Sequence, residues 1–226
     1  VLSALAKAFA DLGDARVRSV LWASILLTLL VFVAIGFGAY SLLTGTVMFE
    51  RAWAEAIADV AAGLAVLLVS FLLFTSVLFA IAGILTDKVA ARVEQLHYPG
   101  LPPARAQSIG EIIGNTLQLL GAGLLLNLIA LPLYFVPGLN AITFYTVNGL
   151  LLGREFFETA ALRRLTPFQA KQTRRANRLR ILAAGIVIAF IATVPVLNLT
   201  LPVLATAFMV HVFHGLKISS SDRNSA

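Results

Sequence analysis

The chain has 226 residues, 59% hydrophobic and 12% charged, with 17 Lys and Arg against 11 Asp and Glu for a formal net charge of +6. Soluble domains carry about 45–50% apolar and about 25% charged residues, so a soluble fold of this length could not hide so much apolar surface. The composition excludes a water-soluble domain and with it a nucleic-acid groove, and the absence of cysteine excludes disulfides, Cys-ligated zinc and iron–sulfur clusters. The expectation is an all-α integral membrane protein, a single membrane domain over 1–226, without a secretory signal peptide in 1–18.

In residues 2–12, Leu2, Leu5, Phe9 and Leu12 fall on one helical face, which predicts a short helix lying in the membrane interface within 1–18. Ala15, Arg16, Val17 and Arg18 then open a long apolar stretch. The N–H groups of a first helical turn together with two arginines suit a tetrahedral anion such as sulfate, although Asp14 opposes one. The alternative is that the arginines mark the cytoplasmic end of a span. Stretches 19–49 and 60–86 are free of charge and proline, and each exceeds the ~20 residues that a bilayer core requires, so both are predicted to be spanning helices. Pro99-Gly100-Leu101-Pro102-Pro103 forms a stiff turn, and Ser108-x-x-Glu111 is a capping box that opens the third stretch.

Residues 112–153 and 181–216 differ from the first two stretches in being broken by proline. The first is interrupted at Leu131-Pro132 and Val136-Pro137-Gly138-Leu139-Asn140, the second at Val194-Pro195-Val196-Leu197-Asn198 with Pro202 following. Proline removes a backbone donor and clashes with the preceding turn. The arms become about 20 and 15 residues in one case and about 14 and 14 in the other, and 14 residues reach only about 21 Å. Both stretches are therefore expected to be re-entrant helical hairpins, the alternative being two ordinary spanning pairs. The shared Val-Pro-x-Leu-Asn hints at an internal repeat, and paired interrupted segments point to a transport path.

Segment 154–180, a basic helix or loop, carries eight Lys and Arg against Glu155 and Glu158, and the positive-inside rule puts it and both termini in the cytoplasm. Within it, Thr166-Pro167-x-Gln169 opens a helix on which Lys171, Arg174, Arg175 and Arg178 line one face. That stripe suits either lipid headgroups or an anion-attracting vestibule. Asn140, Asn148, Arg154, Glu155, Glu158 and Asn198 are candidates for a pore or gate, with Arg154 and Glu158 spaced to pair across one helical turn. His97 falls in a loop. His211 and His214 are spaced to share a metal but have no third ligand nearby in sequence, so no metal site is expected. There is no phosphate loop, HExxH or serine elbow, so neither an enzyme nor a cofactor is expected.

The order of these elements resembles the CysZ-type sulfate permeases over roughly residues 5–216. The resemblance rests on Arg16-Val17-Arg18, Ala90-x-x-x-Glu94, Val136-Pro137-Gly138-Leu139-Asn140, the run from Asn148 to Glu158, and Val194-Pro195-Val196-Leu197-Asn198-Leu199. It implies proton-sensitive or passive sulfate uptake across the bacterial inner membrane for cysteine biosynthesis. It further implies hemi-penetrating hairpins and antiparallel dimers or larger homo-oligomers in contact with membrane lipid. The family's sulfate site is a Gly-x-Arg-Arg-like turn whose second Arg falls on Arg18, with Val17 in place of the other. Two functional alternatives stay open, another oxyanion such as sulfite and a non-transporting scaffold that shapes the bilayer.

Overall fold

The computed structural model describes residues 1–44, 60, 63–64, 68, 86–198 and 200–216. All the regular structure in these residues is helical. The chain divides into two compact units, Val1–Arg18 with Thr86–Ala226, and Ser19–Leu85. Helix α1 is Leu2–Asp11 and α2 is Ala15–Thr44. Helix α3 is described over 86–97. The chain continues with α4 (Ile109–Tyr134), α5 (Leu139–Ala161), α6 (Pro167–Ala176), α7 (Arg178–Ala192), α8 (Pro195–Asn198) and α9 (Leu201–His214).

The smaller unit is described mainly through α2, an uninterrupted helix of 30 residues. No proline breaks it, and Trp22, Leu26, Leu30 and Phe37 are exposed along its length. The first expected span, 19–49, is thus helical as far as Thr44. Residues 45–49, the loop 50–59 and nearly all of the second expected span, 60–86, lie outside the described residues.

In the larger unit α1 inverts the usual amphipathic pattern. Its small residues Ala4 and Ala8, with Asp11, are buried, while Leu2 and Phe9 are exposed. The alanine face packs against α9. The outward face is the bulky apolar one expected of a helix lying in an interface.

The first hairpin is longer than its sequence suggests. Helix α4 begins at the capping box, where Ser108 Oγ accepts from Glu111 N and Glu111 reaches back to Ser108 N. It then runs for 26 residues through Pro132 to Tyr134. The expected break at Leu131-Pro132 is corrected: Pro132 sits in the last turn, where few backbone bonds depend on it. The reversal comes at 135–138, closed by Gly138 at φ 85°, a conformation that favours glycine. Helix α5 follows with 23 residues, ending at Ala161 rather than near residue 153. At ~1.5 Å per residue the arms are about 39 and 34 Å long, so neither must stop part-way through a core of about 30 Å. Among the described residues α4 is the one helix long and apolar enough to cross a membrane. Ala130 is its one buried residue, while Ile113, Leu117, Leu120, Leu124 and Leu128 are all more than half exposed. Water would not sustain such a surface, and lipid does.

The second pair keeps the short arms expected of it. Helices α7 and α9 have 15 and 14 residues, separated by the single turn of α8. The repeated pentapeptide makes the same local bond twice, Asn140 N to Val136 O at 3.2 Å and Asn198 N to Val194 O at 2.8 Å. Helix α9 is buried continuously from Val203 to Phe213 and forms the core of this unit beneath α1, α5 and α7. Phe157 of α5 meets Phe213 edge-on at 6.0 Å.

Helices α5 and α7 touch through their backbones. A Cβ on Gly185 would lie 1.9 Å from Gly149 O, and one on Gly153 would lie 2.8 Å from Ile181 O. Small residues are what allow two helices to approach this closely. Gly185→Ala is expected to force the pair apart and destabilise the protein by about 1–3 kcal/mol or more. Gly121→Ala, with nothing within 4 Å of its Cβ, should be neutral. Thermal unfolding of the two purified variants in detergent checks the contrast, and equal midpoints would contradict it.

Candidate functional site

The α5–α7 contact aligns the polar end of α5 with α6 and the start of α7. Thr166 caps α6 with Pro167 at its first position, as the sequence suggests, and Gln169 accepts from Thr166 N to complete a reciprocal box. The helix so positioned carries Arg174 and Arg175 in its last turn, with Arg174 toward Glu158 of α5, and Arg178 follows across the Asn177 junction. Together with Arg154, these three line a cavity of about 400 Å³, floored by Gly149, Leu150, Ile181 and Leu182. A smaller cavity of about 160 Å³ adjoins it through Arg174, with Asn115, Gln118, Glu158 and Lys171 on its walls. The basic stripe foreseen on α6 thus faces two cavities.

Arg154 Nε donates to Glu158 Oε1 at 2.8 Å, the pairing foreseen from their spacing, and Arg154 Nη1 donates to Gln118 O of α4 at 3.3 Å. Arg174 Nε stands 3.7 Å from the same Glu158 oxygen, an ion pair beyond hydrogen-bond reach. Arg174 Nε and Asn115 Nδ2 are both buried without a hydrogen-bond partner among the described residues. Burial lowers the Arg174 pKa; Glu158 opposes that, and the like charges of Arg154 and Arg175 add to it. Four guanidiniums thus line the larger cavity, and of the two unsatisfied buried donors Arg174 Nε belongs to both cavities and Asn115 Nδ2 to the smaller one.

The remaining pore candidates do not converge on this cavity. Asn140 is exposed at the other end of α5, about 21 Å along the helix from Arg154, and its Oδ1 accepts from Ala141 N. Asn148 is half-buried and donates to Phe144 O at 2.9 Å. Glu155 is half-buried on the Asn148 side of α5. Asn198 is exposed at the end of α8. Residues Ala15 to Arg18 do form the first turn of α2, with Val17 buried and Arg16 and Arg18 exposed. Asp14 Oδ1, however, accepts from both Arg16 N and Val17 N at 3.0 and 3.2 Å, so two N–H groups of that turn are already satisfied. The hydrogen bond from Arg92 comes first among the causes that hold the Asp14 carboxyl at about 2.

A second polar constellation, not foreseen from sequence, ties four segments together. Glu94 of α3 accepts from Arg164 at 2.5 and 2.9 Å and from Arg163 at 3.2 Å, with His214 Nε2 at 3.2 Å. Arg163 also pairs with Asp87, and Arg164 donates to the carbonyl of Pro102. Asp11 holds His97 Nε2 at 2.6 Å on one oxygen and His211 Nε2 at 2.8 Å on the other. His97 belongs to the last turn of α3 rather than to a loop. His211 and His214, neighbours on α9, are thus directed to different carboxylates. Glu94 lay within a recognised sequence pattern, but nothing local marked Asp11, whose partners are 86 and 200 residues away.

The all-helical architecture and the long, apolar and exposed α4 fit a membrane protein. Residues 4–202 match the family described as "Sulfate transporter CysZ/Etoposide-induced protein 2.4", and the chain belongs to that family. Comparison with curated proteins finds no match. The family implies a membrane location.

Burial pushes the Glu94 carboxyl up, but the bonds from His214 and Arg164 and the charges of Arg163 and Arg164 outweigh it and hold the group at about 2 against an ordinary 4.5. A depressed carboxylate contributes stability that is complete above its unfolded value and is lost as pH falls toward its folded one. Heat stability in detergent should therefore decline between about pH 4.5 and 2, by an amount of the order of 3 kcal/mol at most. Glu94→Gln should be less stable at pH 7 and show a flatter decline over that window. A parallel decline in parent and variant would assign the acid sensitivity to other groups.

Proposed function

We propose that the chain conducts sulfate, or an oxyanion of the same charge and size such as sulfite, across the bacterial inner membrane as a multi-pass protein supplying cysteine biosynthesis. The observation that carries this reading is the cavity shared by Arg154, Arg174, Arg175 and Arg178, found in a member of a family named for a sulfate transporter. A doubly charged tetrahedral anion needs several donors at once, and guanidiniums supply them in a planar, permanently charged form. The cavity acts as the vestibule, with Glu158 as its gate: Glu158 occupies the donors of Arg154 and stands against Arg174, and an entering anion competes with it. Positive-inside topology puts the vestibule on the cytoplasmic side.

Arg16 and Arg18, exposed at the start of α2, form a second anion station in this reading. It ranks below the cavity because Asp14 already takes two N–H groups of its turn. Half-buried Asn148 and Glu155 line the route along α5, and exposed Asn140 and Asn198 lie at the two hairpin turns. Assembly as a homodimer or larger oligomer, antiparallel copies included, belongs to the same proposal.

The test is radiolabelled sulfate flux into proteoliposomes, with binding to the purified protein measured alongside. A hydrogen bond to a charged group contributes roughly 1.5–3 kcal/mol, so Arg174→Ala should weaken sulfate binding about ten- to a hundredfold and reduce flux. Glu158→Gln should change flux with little loss of inserted protein, and Arg18→Ala should have a smaller effect than Arg174→Ala. If Arg174→Ala conducts like the parent while Arg18→Ala does not, the α2 turn is the site. A well-inserted parent without sulfate or sulfite flux would favour the scaffold reading.

A further inference from the structure

We propose that Asp11, His97 and His211 form a binding site for a divalent transition-metal ion of the zinc class, which clamps α1, α3 and α9 together. The three side chains come from the last residue of α1, the last turn of α3 and the last turn of α9, and one ligand atom from each lies within 4.8 Å of the others. The two imidazoles meet edge-on, with ring centres 4.8 Å apart and planes at 74°, and both direct Nε2 at the same carboxylate. Two ligands about 2.0–2.1 Å from a tetrahedral metal lie about 3.3 Å apart. That spacing falls within the range these donor atoms span, from 2.6 Å to 4.8 Å.

The donor set selects the ion. Two imidazole nitrogens and one carboxylate suit zinc and its neighbours, whereas calcium and magnesium require six or more oxygens. The surroundings supply what a metal-bound histidine needs. Tyr98 Oη lies 2.9 Å from His211 Nδ1, so that nitrogen can donate its proton outward while Nε2 faces the ion. Asp11 and His211 are almost fully buried, but the His97 side chain is 34% exposed, which leaves an entry path and room for a water as fourth ligand. The neighbouring Glu94 is engaged by Arg163, Arg164 and His214 and does not compete for the ion.

The alternative is a buried carboxylate held by two imidazoles with no metal, and binding measurements separate the two. The full chain, free of any histidine tag, is stripped with a chelator in detergent and equilibrated with zinc, and in parallel with cobalt(II) as a spectroscopic probe. The expected result is one zinc per chain, a thermal midpoint raised by zinc and lowered again by chelator, and the intense visible absorption of four-coordinate cobalt. His97→Ala, at the exposed edge of the site, should leave the metal-free midpoint near that of the parent and weaken zinc binding by more than about tenfold. Tyr98→Phe should weaken it by about tenfold. His214→Asn should keep one zinc per chain. Sub-stoichiometric binding by the parent, a weak six-coordinate cobalt spectrum, or unchanged affinity in His97→Ala would each overturn the proposal. None of these readouts depends on sulfate.

Discussion

The backbone contact between α5 and α7 is the constraint on which the larger unit depends. Gly149, Gly153 and Gly185 let the two helices approach until Gly149 O occupies the place where a Cβ on Gly185 would be. At that separation the polar end of α5 stands directly beside the start of α7, and Arg154 shares one cavity with Arg174, Arg175 and Arg178. Larger side chains would push the helices apart and disperse the four guanidiniums. The packing that stabilises the unit therefore also concentrates its positive charge.

Concentrated charge carries a desolvation cost, and two polar clusters of the unit meet it differently. At the junction of α1, α3 and α9, every carboxylate has cationic or imidazole partners: Glu94 takes two arginines and a histidine, and Asp11 takes two histidines. Such closely matched groups hold segments far apart in sequence in one register, because removing a buried partner such as Arg163 or His211 would leave a buried charge under-compensated. The arginines are less fully matched: Glu158 lines the smaller cavity beside them, and Arg174 Nε and Asn115 Nδ2 have no hydrogen-bond partner among the described residues.

The helices divide along the same line. Helix α9 is buried from Val203 to Phe213 and acts as a core element despite its apolar composition, whereas α4, equally apolar, is exposed along nearly its whole length. Composition does not separate these two helices; their neighbours do. Helix α4 packs along α5, and its remaining faces are exposed. Helix α9 is covered by α1, α5 and α7, and α1 achieves this with alanines that keep its own bulky residues outward.

Much was legible from local chemistry. The capping box at Ser108 and the Thr166 cap with Pro167 behind it appeared where their residue types demanded. The interruption of 181–216 into two short arms followed from proline spacing, and the Arg154–Glu158 pair from helical periodicity. Each of these rests on residues within a few positions of one another, where backbone geometry alone determines the outcome. The passage of α4 through Pro132 was not legible, because a proline in the last turn costs little and only the folded end shows which turn is last. The meeting of Asp11 with His97 and His211, and of the α6 arginines with Arg154, was decided by tertiary packing. Partners tens to hundreds of residues apart leave no local periodicity to read, and it took the glycine contact and the burial of α9 to bring them together.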